Sequence, residues 1–509
     1  MHHRTLFTAV AAFGLIVAAT AVAITDRGGE SAPGEPGSPS PARPDNPLGW
    51  GGPADAPPEP GEPDEPTGAP RCAADRPAAE ATSQFDGGTL SASLSHEMID
   101  AGRDSERYAV IDIKTEPTDT DARPPLNVAL LIDRSGSMNG DPIRQARRAA
   151  RGVVERLGPE DRVSITTYDT RGDAVLAPTA VTPEAQANIA DAIDDITPRG
   201  MTNIHEGLSI AYDQLREAQR DGALSRVIHL SDGQANQGVT STPKMVALAQ
   251  QASTEGIRTT SVGLGLQYNE TLMEALADAG SGGYYFVGDP SDLDPVFAGE
   301  LRDLEATVAT QATLTIAPRC PGVRVKDVIG VPTERDGDAL VAQLADIAGG
   351  EARRFVVELE VTGPESVGAQ NLIAGRLDHE HPGSGTASST EVELAATVTD
   401  DEDATRASVS EEAMAEVLTV KEAHALHEAA LAYRGGRYDE ASGHVEDQAA
   451  ALDRAVQHYG LSDDLAGGAG ARMRDFGDRM DGATPGSPEA EADALGSAEE
   501  ARSLQRTRR

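Results

Sequence analysis

The chain is short of cysteine, of basic charge and of long apolar runs, and each shortage removes a class of function. Only two cysteines occur in 509 residues. Neither belongs to a CxxC or CxxH spacing, so a zinc site of the finger or ribbon kind is excluded. Lys and Arg total 43 against 83 Asp and Glu, a formal net charge of −40. A field of that sign repels nucleic-acid phosphates and anionic lipid surfaces. No Gly-rich loop carries a Lys in the phosphate-cradling pattern, so ATP-driven work would need a separate subunit. One apolar run approaches the length of a bilayer span, Thr5 to Ile24.

That run follows Arg4 and ends in Ala21-Val22-Ala23, which has the form of a signal-peptidase site. Residues 1–24 read as a cleaved signal or an uncleaved N-terminal anchor. Either reading puts the rest of the chain outside the cytoplasm, in periplasm, on the cell surface or secreted. Residues 25–80 read as a disordered linker. Over 26–71 they are dense in Pro, Gly and acidic residues, too poor in large apolar side chains to offset chain entropy. Such a spacer extends at most about 3.1 Å per residue where polyproline-like. In an exported protein Cys72 and Cys320 either form one disulfide or stay as two thiols.

The chemistry-bearing pattern begins at residue 126. Leu126 to Ile132 (LNVALLI) reads as a buried strand, and Pro142 to Leu157 as an amphipathic helix. Between them stands Asp133-Arg-Ser135-Gly-Ser137, a carboxylate and two hydroxyls on one tight loop. Alone this pattern is weak, because Asp and Ser are common in turns. Two further loops strengthen it. Thr202 precedes the helical run Ile204–Gln219, and Asp232 follows the apolar strand Arg226–Leu230 in Ser231-Asp232-Gly233. Strands over 162–168, 173–177, 257–262 and 284–287 alternate with helices over 183–196, 242–255 and 269–279. This alternation predicts a doubly wound, mainly parallel α/β sheet, with the three loops on its carboxyl rim. Asp133, Ser135, Ser137, Thr202 and Asp232 are the candidate metal ligands. Their all-oxygen chemistry suits Mg²⁺, with Mn²⁺ or Ca²⁺ as alternatives, and argues against His205 as a ligand.

From Pro125 to Leu304 this set resembles the von Willebrand factor type A domain and its metal-ion-dependent adhesion site. The resemblance implies a Rossmann-like fold over 125–304, with Ser135, Ser137 and Thr202 touching the ion and Asp133 and Asp232 acting largely through water. It also implies a protein ligand that supplies an Asp or Glu to the ion. Met201 departs from the pattern, since many relatives have a second Gly there.

Period-two runs flank this module. Residues 81–124 supply strands near Leu90–Leu94 and Ala109–Ile113, and 305–400 supply more, including Phe355, Val357, Leu359 and Val361 on one face. The expected architecture is an α/β module inserted into an antiparallel β-sandwich. Residues 408–460 read as a C-terminal helical hairpin, similar to one tetratricopeptide unit and expected to pack on the sandwich. Residues 461–509, rich in Gly, Ala and Glu, read as a disordered tail. His379-Glu380-His381 is expected in a solvated loop.

Three functions remain. The first is an exported, metal-dependent adhesion or scaffold protein. The second is a sensor or assembly subunit of a membrane complex. The third, an enzyme, is disfavoured because neither His229 with Ser231 nor the His379 cluster makes a nucleophile–base arrangement.

Overall fold

The computed structural model describes residues 72–118, 123–265, 268–364, 366–462 and 470–508. The expected export segment and most of the linker lie outside the described residues. Among the described residues no helix is long and apolar enough to cross a membrane.

Four strands come first: β1 (Glu80–Phe85), β2 (Gly88–Leu94), β3 (Met98–Asp100) and β4 (Ser105–Thr115). An α/β unit follows, in the order β5 (Leu126–Asp133), α1 (Asp141–Arg156), β6 (Arg162–Tyr168), β7 (Gly172–Ala180), α2 (Gln186–Asp194), α3 (Ile204–Ala218), β8 (Leu224–Ser231), α4 (Thr242–Thr254), β9 (Ile257–Leu264), α5 (Glu270–Ala279), β10 (Ser281–Val287) and α6 (Leu293–Glu305). Its sheet runs β10-β9-β8-β5-β6-β7. All neighbours are parallel except β7, which closes one edge antiparallel to β6.

Every residue of β5, β8 and β9 is buried, as expected of strands sandwiched between helical layers. Val128, Leu130 and Ile132 pack with α1 and α6 through Ile143, Val153 and Phe297. Ala129 and Leu131 pack on the other face with Leu208, Met245 and Leu272. The chain enters at β5 and winds outward in both directions, so the switch in strand order falls between β5 and β8. Such a switch opens a crevice at the carboxyl ends of the strands.

The chain then adds β11 (Thr307–Pro318), β12 (Val323–Ile329), β13 (Glu334–Asp336), β14 (Ala339–Gln343), β15 (Ile347–Ala348), β16 (Glu351–Val361), β17 (Gly368–Glu380) and β18 (Ala387–Thr399). One sheet runs β1-β2-β4-β16-β12 and the other β13-β14-β11-β17-β18-β3. Their inner faces share one core, with Leu90, Ile111 and Val357 from the first sheet meeting Leu314, Leu377 and Leu394 from the second. The α/β unit is therefore inserted between β4 and β11 of a sandwich. β4 and β16, from opposite sides of the insertion, pair from Ser105↔Val361 to Lys114↔Ala352. Cys72 and Cys320 form a disulfide with Cα atoms 4.8 Å apart, a second tie between the two flanks.

Five helices and a short strand complete the chain: α7 (Glu402–Ala407), α8 (Glu411–Arg434), α9 (Tyr438–Tyr459), α10 (Ala471–Gly482), α11 (Pro488–Gln505) and β19 (Arg506–Arg508). Met414, Val417 and Leu418 of α8 seat the hairpin on Val110, Ile329 and Val356 of the sandwich. The tail differs from expectation. Within 461–509, residues 471–482 and 488–505 are helical and pack on the hairpin instead of being disordered. Their buried stripe is mostly alanine, Ala490, Ala494, Ala498 and Ala501, with Met473 and Phe476. Alanine gives little hydropathy contrast against a Glu-rich background, yet it is the best helix former and lets helices approach closely.

A second correction concerns His379. It lies on β17 and is 2% exposed, facing inward against the edge of the Phe85 ring at 5.2 Å. The period-two alternation of β17 through Leu377 continues one step further than the polar composition suggested. The expected edge strand over 173–177 is longer, and the expected helix over 183–196 is shorter at both ends.

Candidate metal centre

The five candidate residues are carried by three elements that meet at the strand-order switch. Asp133 ends β5 and is fully buried. One carboxylate oxygen accepts the Ser135 N–H at 2.7 Å, and the other accepts the Ser231 hydroxyl at 2.9 Å. The first bond tightens the loop after β5, and the second ties β5 to β8. The loop then holds Ser135 Oγ 2.9 Å from Ser137 Oγ, and Ser137 donates to Asp232 Oδ1 at 2.8 Å. Thr202 arrives from the third element. Its N–H donates to Asn236 Oδ1 at 2.8 Å, and its carbonyl accepts the Asn236 N–H at 3.1 Å. Asn203 then caps α3 by accepting the Glu206 N–H. Gly233 adjoins both loops: a Cβ built there would lie in ordinary contact, 3.7 Å from both Ser137 Oγ and Thr202 Oγ1.

A cationic buttress stands behind the loops. Arg134 and Arg199 both pair with Asp169, at 2.8 and 2.9 Å, and both reach Asp173. The Arg199 N–H donates to the Arg134 carbonyl at 2.7 Å, joining the Thr202 loop to the Ser135 loop. Met201 is 45% exposed at the rim. His205 lies half-buried in the first turn of α3, and no bond joins it to the oxygen cluster.

The carboxylates are electrostatically frustrated as they stand. Burial, and then the nearby charge of Asp232, push Asp133 up to about 7 despite its hydrogen bonds. Burial also raises Asp232, against the Ser137 bond that lowers it. A cation would relieve this. Among the described residues no cluster of three or more His, Cys, Asp or Glu side chains is placed to hold an ion. Here two carboxylates are supplemented by three hydroxyls, the donor chemistry of a hard divalent ion.

Sequence reasoning missed most of the layer beneath, naming His229 only as a candidate base beside Ser231. Asn236 sits in an irregular loop with no spacing signal. Tyr168 at the end of β6 and His229 within β8 are buried polar groups in otherwise apolar-looking strands. His229 Nε2 lies 2.8 Å from the Tyr168 hydroxyl. Burial drives the His229 imidazole down to about 3. Burial, and next the charge of Asp133, hold the Tyr168 phenol well above its ordinary value.

The von Willebrand factor type A domain profile matches residues 127–298, which take in all three loops. Residues 127–298 are a von Willebrand factor type A domain. Among solved structures, a von Willebrand factor type A protein from Catenulispora acidiphila superimposes with a TM-score of 0.61 at 18% identity, covering 84% of this chain and 99% of that one. The ArnB paralog VWA2 from Sulfolobus acidocaldarius does so at 0.50 and 15%, with the same coverage. At these identities the likeness is one of fold, and it extends well beyond the type A domain. Among curated relatives, an uncharacterized protein of Synechocystis, sll0103, is 31% identical over 48% of this chain and 58% of its own length. Inter-alpha-trypsin inhibitor heavy chain H3 of Rattus norvegicus is 28% identical over 37% of this chain and 22% of its own. The chain thus spans less than two thirds of these curated relatives.

Proposed function

We propose that this is an exported adhesion or scaffold protein whose type A domain captures a carboxylate of a protein partner through a divalent ion. The convergence of Asp133, Ser135, Ser137, Thr202 and Asp232 at the β5/β8 switch carries this reading. A bound Mg²⁺, or Mn²⁺ or Ca²⁺ in its place, supplies an electrophilic position for a partner's Asp or Glu. The hydroxyls of Ser135, Ser137 and Thr202 offer neutral oxygen ligands. Asp133 and Asp232 stand behind them as charge-compensating acceptors, so the centre keeps positive character despite a net charge of −40 on the chain. Binding to an acidic partner therefore depends on the ion, because the field of the rest of the molecule opposes it. Export is supported by the apolar segment over 5–24 and by a disulfide, which persists in oxidising compartments. The geometry favours binding over catalysis, since His229 is committed to Tyr168 and offers no base to Ser231.

Two measurements test this. Calorimetric titration with Mg²⁺ and Mn²⁺ should show one site in the wild type, lost in Ser135→Ala/Ser137→Ala. Capture of an envelope partner should need wild-type residues and metal together, and should fail in EDTA. Capture that is equal with metal, with EDTA and with the double variant would move the binding surface to the sandwich or the helices.

A further inference from the structure

Tyr168 and His229 lie directly beneath the oxygen cluster, and the adhesion reading leaves both unused. Tyr168 is fully buried, and its ring lies against α3 where Gly207 makes room: a Cβ at 207 would come within 2.7 Å of the ring. Its hydroxyl reaches a second ligand-bearing element. It lies 2.8 Å from His229 Nε2 and 3.2 Å from the Leu230 carbonyl, both on β8. On its other side Tyr168 is the register partner of Asp133 on β5. One side chain therefore touches the element behind each of the three loops.

The protons can be placed. His229 is fully buried, and among the described residues its Nδ1 has no hydrogen-bond partner. A buried N–H without an acceptor is among the rarest features of native structures, so the single proton of the neutral imidazole belongs on Nε2. That N–H donates to the Tyr168 oxygen. The phenol's own proton then goes to the Leu230 carbonyl.

We propose that Tyr168, held by the Nε2–H of His229, is a positioning residue for the metal centre, locking the ends of β5 and β8 and the start of α3 in ligand register. This rests on the metal-binding reading above. Groups that orient metal ligands from behind typically contribute about 10- to 100-fold in metal affinity. Tyr168→Phe alone strands the His229 N–H, which weakens the fold for an unrelated reason. Replacing both partners by apolar groups avoids that penalty. The deciding variant is Tyr168→Phe/His229→Leu.

The experiment is calorimetric titration of the full chain with Mg²⁺ and with Mn²⁺, beside the unfolding midpoint of each variant in EDTA. The expected result is a midpoint close to wild type and affinity about 10-fold weaker for both ions. Should the double variant lose its fold, Tyr168→Phe decides by affinity alone, titrated well below its own unfolding midpoint, where a lower midpoint does not change the reading. Wild-type binding that Ser135→Ala/Ser137→Ala abolishes and the Tyr168 variants leave unchanged overturns this inference alone. A wild-type chain that takes up neither ion overturns the metal reading and this inference together.

Discussion

Replacing Asp346 with Ala should be among the most damaging single changes in the molecule, although it lies at the sheet end opposite the metal loops. Asp346 sits in the turn between β14 and β15, on the sandwich side. Its two carboxylate oxygens take Arg258 Nε and Arg226 Nη2, each at 3.1 Å, from the N-terminal ends of β9 and β8. All three side chains are 5–6% exposed. Arg226 has a second carboxylate in Glu300 at 3.2 Å. The other bonds of Arg258 go to the neutral Ser253 hydroxyl and carbonyl. Asp346→Ala therefore leaves the Arg258 guanidinium buried and uncompensated. Removing one partner of a buried pair costs about 3–5 kcal/mol, against about 0–1 for an exposed pair such as Arg144–Asp141. At about 1.4 kcal/mol per tenfold, the unfolding equilibrium should shift by about 10²- to 10³-fold or more. Guanidinium chloride titration of wild type, Asp346→Ala and Asp141→Ala measures this. The charge argument adds that Asp346→Ala/Arg258→Met should recover part of the loss, since it removes the stranded cation. A loss below about 1 kcal/mol for Asp346→Ala, or a double variant no more stable than the single one, would refute the reasoning.

Three further predictions follow from the same structure. His96 and His229 are lowered to about 3, in both cases mainly by burial. The unfolded chain therefore takes up their protons first, and their contribution is full above about 6.5 and is lost as pH falls toward about 3, at up to about 2.7 kcal/mol per pH unit for the two together. Asp133 works in the opposite sense without metal, its raised value making stability fall as pH rises toward about 7; denaturant midpoints from pH 3.5 to 6.5, with His96→Gln flattening the acid limb by about one proton, check the assignment, and an unchanged limb speaks against it. Cys72→Ser/Cys320→Ser opens a link spanning 248 residues and should cost about 3–5 kcal/mol, read as a lower melting temperature that reductant no longer changes. Leu495→Ala in α11 empties the contact with Tyr268 and Met273 and should cost about 2–4 kcal/mol, with faster amide exchange across α5; unchanged exchange there would mean that α11 does not brace the type A domain.

Much of the candidate centre was legible because its residues are neighbours in sequence of strongly patterned strands. LNVALLI and RVIHL announce buried strands, and Asp133 and Asp232 stand at their carboxyl ends, so local periodicity places them on one rim. The tail was illegible for the converse reason. Ala490, Ala494, Ala498 and Ala501 form a stripe that means little until α8 supplies the surface they cover. His379 was misplaced because its polar neighbours outweighed the alternation of β17 in a reading by composition.

The sequence by itself determined the alternating strands and helices of the type A domain, the oxygen-only character of its loops and the net charge that sets the molecule against acidic partners. These are local or additive properties, readable without knowing which elements touch. Only the tertiary structure decided that β8 lies beside β5, that Cys72 meets Cys320, and that the hydroxyl of Tyr168 reaches both His229 and the Leu230 carbonyl. Those contacts join residues tens to hundreds of positions apart. What selects them is the packing of two apolar faces and the need to satisfy buried polar groups, and neither is written in any one stretch of chain.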